Sequence, residues 1–101
     1  LPLVDEIVTL PVATLSAFPN PFNPTATISF SLPVGGKTEL EIYNLKGQKI
    51  VTLSAGLLPA GKHSISFNGC DEYGRNLASG IYFLRLQHPA GIITKKITLL
   101  K

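Results

Sequence analysis

The chain has 101 residues, enough for one hydrophobic core and too few for two, and nine Lys plus Arg against six Asp plus Glu leave a formal charge of +3. Apolar residues make up 45% and charged residues 15%, so there is enough hydrocarbon to offset chain ordering, which excludes a wholly disordered chain. The basic residues are scattered apart from Lys95-Lys96, no apolar run reaches the ~18 residues of a spanning helix, and Cys70 is the single cysteine; nucleic-acid binding, membrane insertion, an internal disulfide and a cysteine-built metal site are therefore not indicated.

Residues 1 to 11 contain Pro2, Asp5, Glu6 and Pro11 and lack the basic start of a signal peptide. With no initiating Met either, the chain is expected to be a fragment from the end of a longer protein. A first strand is expected over residues 12 to 18. It stops at Pro19-Asn20-Pro21-Phe22-Asn23-Pro24, where three prolines remove backbone donors and fix φ, giving a rigid segment outside any ladder. From Thr25 to Leu32, Ile28, Phe30 and Leu32 alternate with Thr27, Ser29 and Ser31, as in a half-buried strand.

Pro33-Val34-Gly35-Gly36 then turns the chain into a strand over Thr38 to Asn44, with Leu40 and Ile42 on one face and Glu39, Glu41 and Tyr43 on the other. The strands on either side of this turn are expected to form a hairpin. Asn44-Leu45-Lys46-Gly47-Gln48 is the next turn, and Lys49 to Leu53 returns to pair with the strand before it. Gly56 to Gly61 reads as a loose connection. His63, Ile65 and Phe67 then alternate with Ser64 and Ser66 in a strand whose wet face is nearly all serine.

The stretch Asn68 to Asn76 is a turn-rich loop leading through Leu77-Ala78-Ser79-Gly80 into a strand over Ile81 to Gln87, with Tyr82, Leu84 and Leu86 on one face. Gly80 reads as a bend and Tyr82 as a core aromatic. Pro89-Ala90-Gly91 reverses the chain into a last strand, Ile92 to Leu100. No window has the periodicity of a helix. Residues 12 to 101 are thus expected to form one all-β domain, an immunoglobulin-like antiparallel β-sandwich of about seven strands.

Catalytic readings find little support. His63 and His88 have no metal-ligand spacing, and each has a structural explanation: His63 shares a face with Ile65 and Phe67, and His88 precedes Pro89 at a strand end. Nothing beside Cys70 resembles a nucleophile's setting. Asp71 and Glu72 are too few carboxylates for a calcium loop, and a polar turn with Asp71 bonded to backbone near Gly74 explains them better. Gly35-Gly36 lacks the context of a phosphate loop. There is no Trp, and Tyr43, Tyr73 and Tyr82 are few for a sugar platform. No enzyme activity, cofactor or metal is expected.

Several phrases, taken in order, resemble the C-terminal sorting domain, type A, of proteins exported by the type IX (Por) secretion system of Bacteroidetes-type bacteria. They are Phe18-Pro19-Asn20-Pro21-Phe22-Asn23-Pro24-Thr25 with the strand Ile28 to Pro33, Ile42 to Lys49, Leu58-Pro59-Ala60-Gly61, Asn68-Gly69 with Asp71, Gly74 and Arg75, Leu77 to Tyr82, and the closing Thr94 to Lys101. The pattern is shared less closely with the immunoglobulin-like domain of the flagellar hook-capping protein. Cys70 departs from the family, which more often has a non-thiol residue there.

The resemblance implies a non-catalytic address for an attached cargo, carried through the periplasm to the outer-membrane secretion machinery and removed at the cell surface by a sortase-like peptidase; residues 1 to 11 then read as a linker from an upstream cargo domain, with cleavage expected there. The residues it implies for recognition are Pro19, Asn20, Pro21, Gly80, Tyr82, Lys95, Lys96, Ile97, Leu99, Leu100 and Lys101. Two roles fit Lys95 and Lys96, on opposite faces of the last strand: blunting a sheet edge, or offering that edge to a receptor. The proline segment likewise fits a structural device or a recognition element. The other class of function is a structural or carbohydrate-contacting accessory module of an extracellular enzyme.

Overall fold

The structure, a computed structural model, describes residues 12–101. Seven strands run in chain order: β1 Thr14–Phe18, β2 Ala26–Leu32, β3 Gly36–Tyr43, β4 Lys49–Leu58, β5 Gly61–Phe67, β6 Gly80–His88 and β7 Gly91–Leu99. There is no helix among the described residues. Two antiparallel sheets face each other, one ordered β1-β2-β5 and the other β4-β3-β6-β7, which is an immunoglobulin-like sandwich. The expected linker lies outside the described residues.

Period-two patterning places the core between the layers. Leu15, Ile28, Phe30, Leu32 and Phe67 from the smaller sheet meet Leu40, Ile42, Tyr82, Leu84, Leu86, Ile97 and Leu99 from the larger one. The alternation read in β2 and β6 is reproduced residue by residue in their burial.

Two expectations are corrected. β2 and β3 do not form a hairpin: Leu32 pairs with Gly61 of β5, while Gly36, four residues on, pairs with Leu58 of β4. Pro33, Val34 and Gly35 therefore carry the chain across the ~10 Å between layers. Pro59-Ala60 makes the opposite crossing directly beside them. A Cβ on Gly35 would come within 3.1 Å of both the Ala60 N and the Leu58 O, so glycine lets the two corners stack. The second correction is that Gly56 is no loose connection: β4 runs unbroken to Leu58, leaving only Pro59-Ala60 between β4 and β5. Register shifts opposite Leu40/Glu41 and Ile42/Tyr43 absorb the extra β4 residues, so a strand expected to stop at Leu53 continues.

Glu41, on the face opposite Leu40 and Ile42, retains only 7% of its surface. Tyr43 donates to its Oε1 at 2.8 Å, Lys49 approaches its Oε2 at 3.5 Å, and Arg85 donates to the Tyr43 hydroxyl at 3.2 Å. These neighbours cover the carboxylate and satisfy it.

Candidate functional site

β7 forms one border of the larger sheet, with β6 its only ladder partner among the described residues. Its pairing puts Ile93, Lys95, Ile97 and Leu99 on the face of Leu86, Leu84, Tyr82 and Gly80, toward the other layer. Ile92, Thr94, Lys96 and Thr98 lie on the outer face. The middle of the strand is wet on both sides, since Lys95 and Lys96 are both exposed, whereas Ile97 and Leu99 are sealed at 1% and 0% exposure. Lys95 sits at the margin of the sandwich, where a long stem can lie along apolar surface while its ammonium reaches water.

The proline segment leaves the smaller sheet after Phe18 and docks on this border. The peptide bonds preceding Pro19 and Pro21 are cis. The Asn20 side chain donates to the Lys96 carbonyl at 3.2 Å and accepts the Thr98 N–H at 3.1 Å. Phe22 continues as a parallel bridge to Leu99: its N–H donates to the Thr98 carbonyl and its carbonyl accepts the Leu100 N–H, both at 2.9 Å. The Phe22 ring is wholly buried, tilted against Phe67 with centroids 5.7 Å apart. Behind it, Gly69 at φ 77° passes so close that a Cβ would lie 2.8 Å from the Pro24 carbonyl oxygen. The two most distinctive phrases of the sequence are therefore one structural unit.

Other recognition candidates divide by burial. Tyr82 is a core residue whose hydroxyl donates to the Ala78 carbonyl at 2.7 Å, and burial raises its pKa above the ordinary value. Gly80 opens β6 half-buried, opposite Leu99. Pro19, Asn20, Pro21, Lys95, Lys96 and Lys101 are exposed, and Leu100 keeps 51% of its surface. The Lys101 N–H donates to the Ser79 hydroxyl at 3.0 Å, holding the end of the chain beside the start of β6.

Residues 16–100 match the family described as the secretion system C-terminal sorting domain. The chain belongs to that family. This sorting domain directs an attached cargo through the type IX (Por) secretion system to the cell surface. No curated protein matches the sequence. Among solved structures, the domain is similar to dimeric latent PorU of Porphyromonas gingivalis, at TM-score 0.69 and 22% identity over 98% of this chain and 10% of PorU. It is also similar to PorZ, a surface component of the type IX secretion system of the same organism, at TM-score 0.57 and 17% identity over 86% of this chain and 11% of PorZ. FlgD of P. aeruginosa gives TM-score 0.57 and 26% identity over 73% of this chain and 58% of FlgD. The sorting domain thus spans about a tenth of the PorU and PorZ chains, and these likenesses concern the fold.

Asp71, the two histidines and Cys70 have structural surroundings that account for them. Asp71 Oδ1 accepts the Tyr73 and Arg75 N–H groups, each at 2.9 Å, and its Oδ2 pairs with the Arg75 guanidinium at the same distance. The Arg75 backbone bond is the main cause of a carboxyl held below its ordinary value, helped by the Tyr73 N–H and the guanidinium. His63 stacks on Phe30 at 5.2 Å and bonds the Pro59 carbonyl oxygen through Nε2 at 2.8 Å, while His88 Nδ1 accepts the Ala90 N–H. Cys70 Sγ lies 3.4 Å from Asn76 Oδ1. No group of three or more His, Cys, Asp and Glu able to hold a metal occurs among the described residues.

Proposed function

We propose that the domain performs no chemistry itself, and that the outer-membrane secretion machinery recognises it, after passage through the periplasm, at the β7 border. A sortase-like peptidase then removes it by cutting within residues 1 to 11, which link it to the upstream cargo domain. The observation that carries this reading is the exposure of Lys95 and Lys96 on opposite faces of one border strand whose flanking Ile97 and Leu99 are buried. In this reading the eleven recognition residues act in two ways. Lys95, Lys96, Leu100, Lys101, Pro19 and Pro21 meet the machinery; Asn20, Gly80, Tyr82, Ile97 and Leu99 hold that surface in shape.

The test is a fusion of a fluorescent reporter to the full chain, expressed in a strain that carries the secretion system. Surface fluorescence is expected for the unaltered chain and periplasmic retention for the Lys95→Glu/Lys96→Glu chain. Both lysines are exposed, so the purified variant is expected to melt like its parent. Normal export of a folded variant overturns the role of the lysine pair. Mass spectrometry of the exported fusion checks removal, and a mature protein that retains residues 20–101 counts against it.

A further inference from the structure

The border of β7 is only half closed. Thr98 N–H and C=O, Lys96 C=O and Leu100 N–H all point away from β6, and Asn20 and Phe22 occupy them. Alternate residues of a strand direct their backbone groups to the same side, so Ile92 and Thr94 direct theirs the same way, as does the Lys96 N–H. Among the described residues no backbone group meets them. The stretch from Ile92 to Lys96 therefore offers a row of free donors and acceptors about five residues long, the length of a short added strand.

The flanking side chains define what fits. Outward lie Ile92, 54% exposed, then Thr94 and Lys96; toward the other layer lie half-buried Ile93 and exposed Lys95. Neither lysine forms an ion pair among the described residues, where the two ion pairs are Lys49 with Glu41 and Arg75 with Asp71. An antiparallel strand laid here places adjacent residues on opposite faces, each opposite one lysine. It matches the border when two neighbouring acidic residues are followed by β-branched residues that reach Ile93 and Ile92. Lysines on a border repel strands of like charge and favour acidic ones.

We infer that Ile92 to Lys96 is a strand-addition site for an extended partner segment in which two adjacent acidic residues are followed by β-branched ones. The proline segment sets its length, because pairing beyond Lys96 requires displacing Asn20 and Phe22. This inference rests on the reading of β7 as the recognised border and names how it is read.

The probe is the end-blocked peptide Asp-Glu-Val-Thr-Val, whose residues lie in turn opposite Lys96, Lys95, Thr94, Ile93 and Ile92, titrated into the isotope-labelled full chain. The N–H groups of Ile92, Thr94 and Lys96 are expected to shift and to exchange with solvent at least tenfold more slowly, while those of Thr98 and Leu100, already bonded, hold their rates. Lys95→Glu/Lys96→Glu is expected to abolish the effect toward this peptide and to restore it toward Lys-Lys-Val-Thr-Val. Absence of slowing at the three amides overturns the inference, as does failure of the charge-swapped pair. Protection of these amides before peptide is added also overturns it, because another part of the chain or a second copy then fills the border. If export still depends on the lysine pair while the peptide has no effect, the sorting reading stands and strand addition alone falls.

Discussion

Asn20 and Thr98, 78 residues apart, are joined by a 3.1 Å hydrogen bond from the Thr98 N–H to the Asn20 side-chain oxygen. The other end of the same amide donates to the Lys96 carbonyl, so one exposed side chain splints two alternate positions of the last strand. The proline phrase and the basic tail consequently stand or fall together.

Replacing Asn20 with Ala removes both bonds. Net worth of about 0.5–1.5 kcal/mol per bond, at the low end for an exposed site, predicts a loss of about 1 kcal/mol with the fold retained. Faster solvent exchange of the Thr98 amide is the specific readout, and an unchanged rate would show that the splint is not formed in solution.

Phe22→Ala is expected to cost about 3–5 kcal/mol in chemical denaturation, because it empties a site with no exposed surface and leaves Phe67 without its partner. Phe18, four residues earlier and 78% exposed, is the control: Phe18→Ala is expected to change stability by about 0.5 kcal/mol or less. Equal losses at the two positions would contradict the docking described.

Truncation of Ile97 to Lys101 is expected to abolish cooperative unfolding, measured by circular dichroism on heating. It deletes two residues exposed at 1% and 0% and the carbonyl and amide that receive Phe22. Loss of export on truncation thus follows from unfolding alone, whereas charge reversal at Lys95 and Lys96 tests recognition in a folded domain.

Tyr82 predicts an alkaline limit. Burial raises its folded pKa above the ordinary value of 10.0, so its stabilising contribution is complete below that value and declines as pH rises through the folded pKa. Tyr82→Phe is expected to cost about 1 kcal/mol at neutral pH through the lost bond to Ala78, and to flatten the fall of stability above pH 10. A variant with an undiminished alkaline decline would assign the effect to another group.

Acid acts on the Asn68 to Asn76 loop. Asp71 has a depressed pKa, so its contribution is present above the ordinary value of 3.8 and is lost as pH falls below it, through the lower folded value. The Tyr73 and Arg75 amide resonances are expected to move toward unstructured positions over that range while core amides in β3 and β6 stay in place. In Asp71→Asn this acid transition is expected to disappear from the loop.

Much of this molecule could be read residue by residue. The alternation of Ile28, Phe30 and Leu32 with serines and threonine, and of Tyr82, Leu84 and Leu86 with their neighbours, specified strands and buried faces correctly. Asn44 to Gln48 forms the turn its residues indicate, with Gly47 at φ 81°, and Asp71 bonds the backbone beside Gly74 as expected. These are local matters, decided by a two-residue period and by turn geometry within a few positions. Glu41 escaped the same reading because its burial comes from Tyr43, Lys49 and Arg85, which only sheet pairing brings around it.

What the sequence determined by itself was an all-strand sandwich, the core faces of β2 and β6, the turns at Gly47 and Gly74 and membership of a sorting family. Only the tertiary structure decided that Leu32 and Gly36 part into different layers, and that Phe22 reaches across to Leu99 and closes half of the last strand's border. The physical reason is range: side-chain alternation tells a strand which face to bury but is silent on which distant backbone will meet its hydrogen-bonding groups, and that choice is made by packing the whole chain.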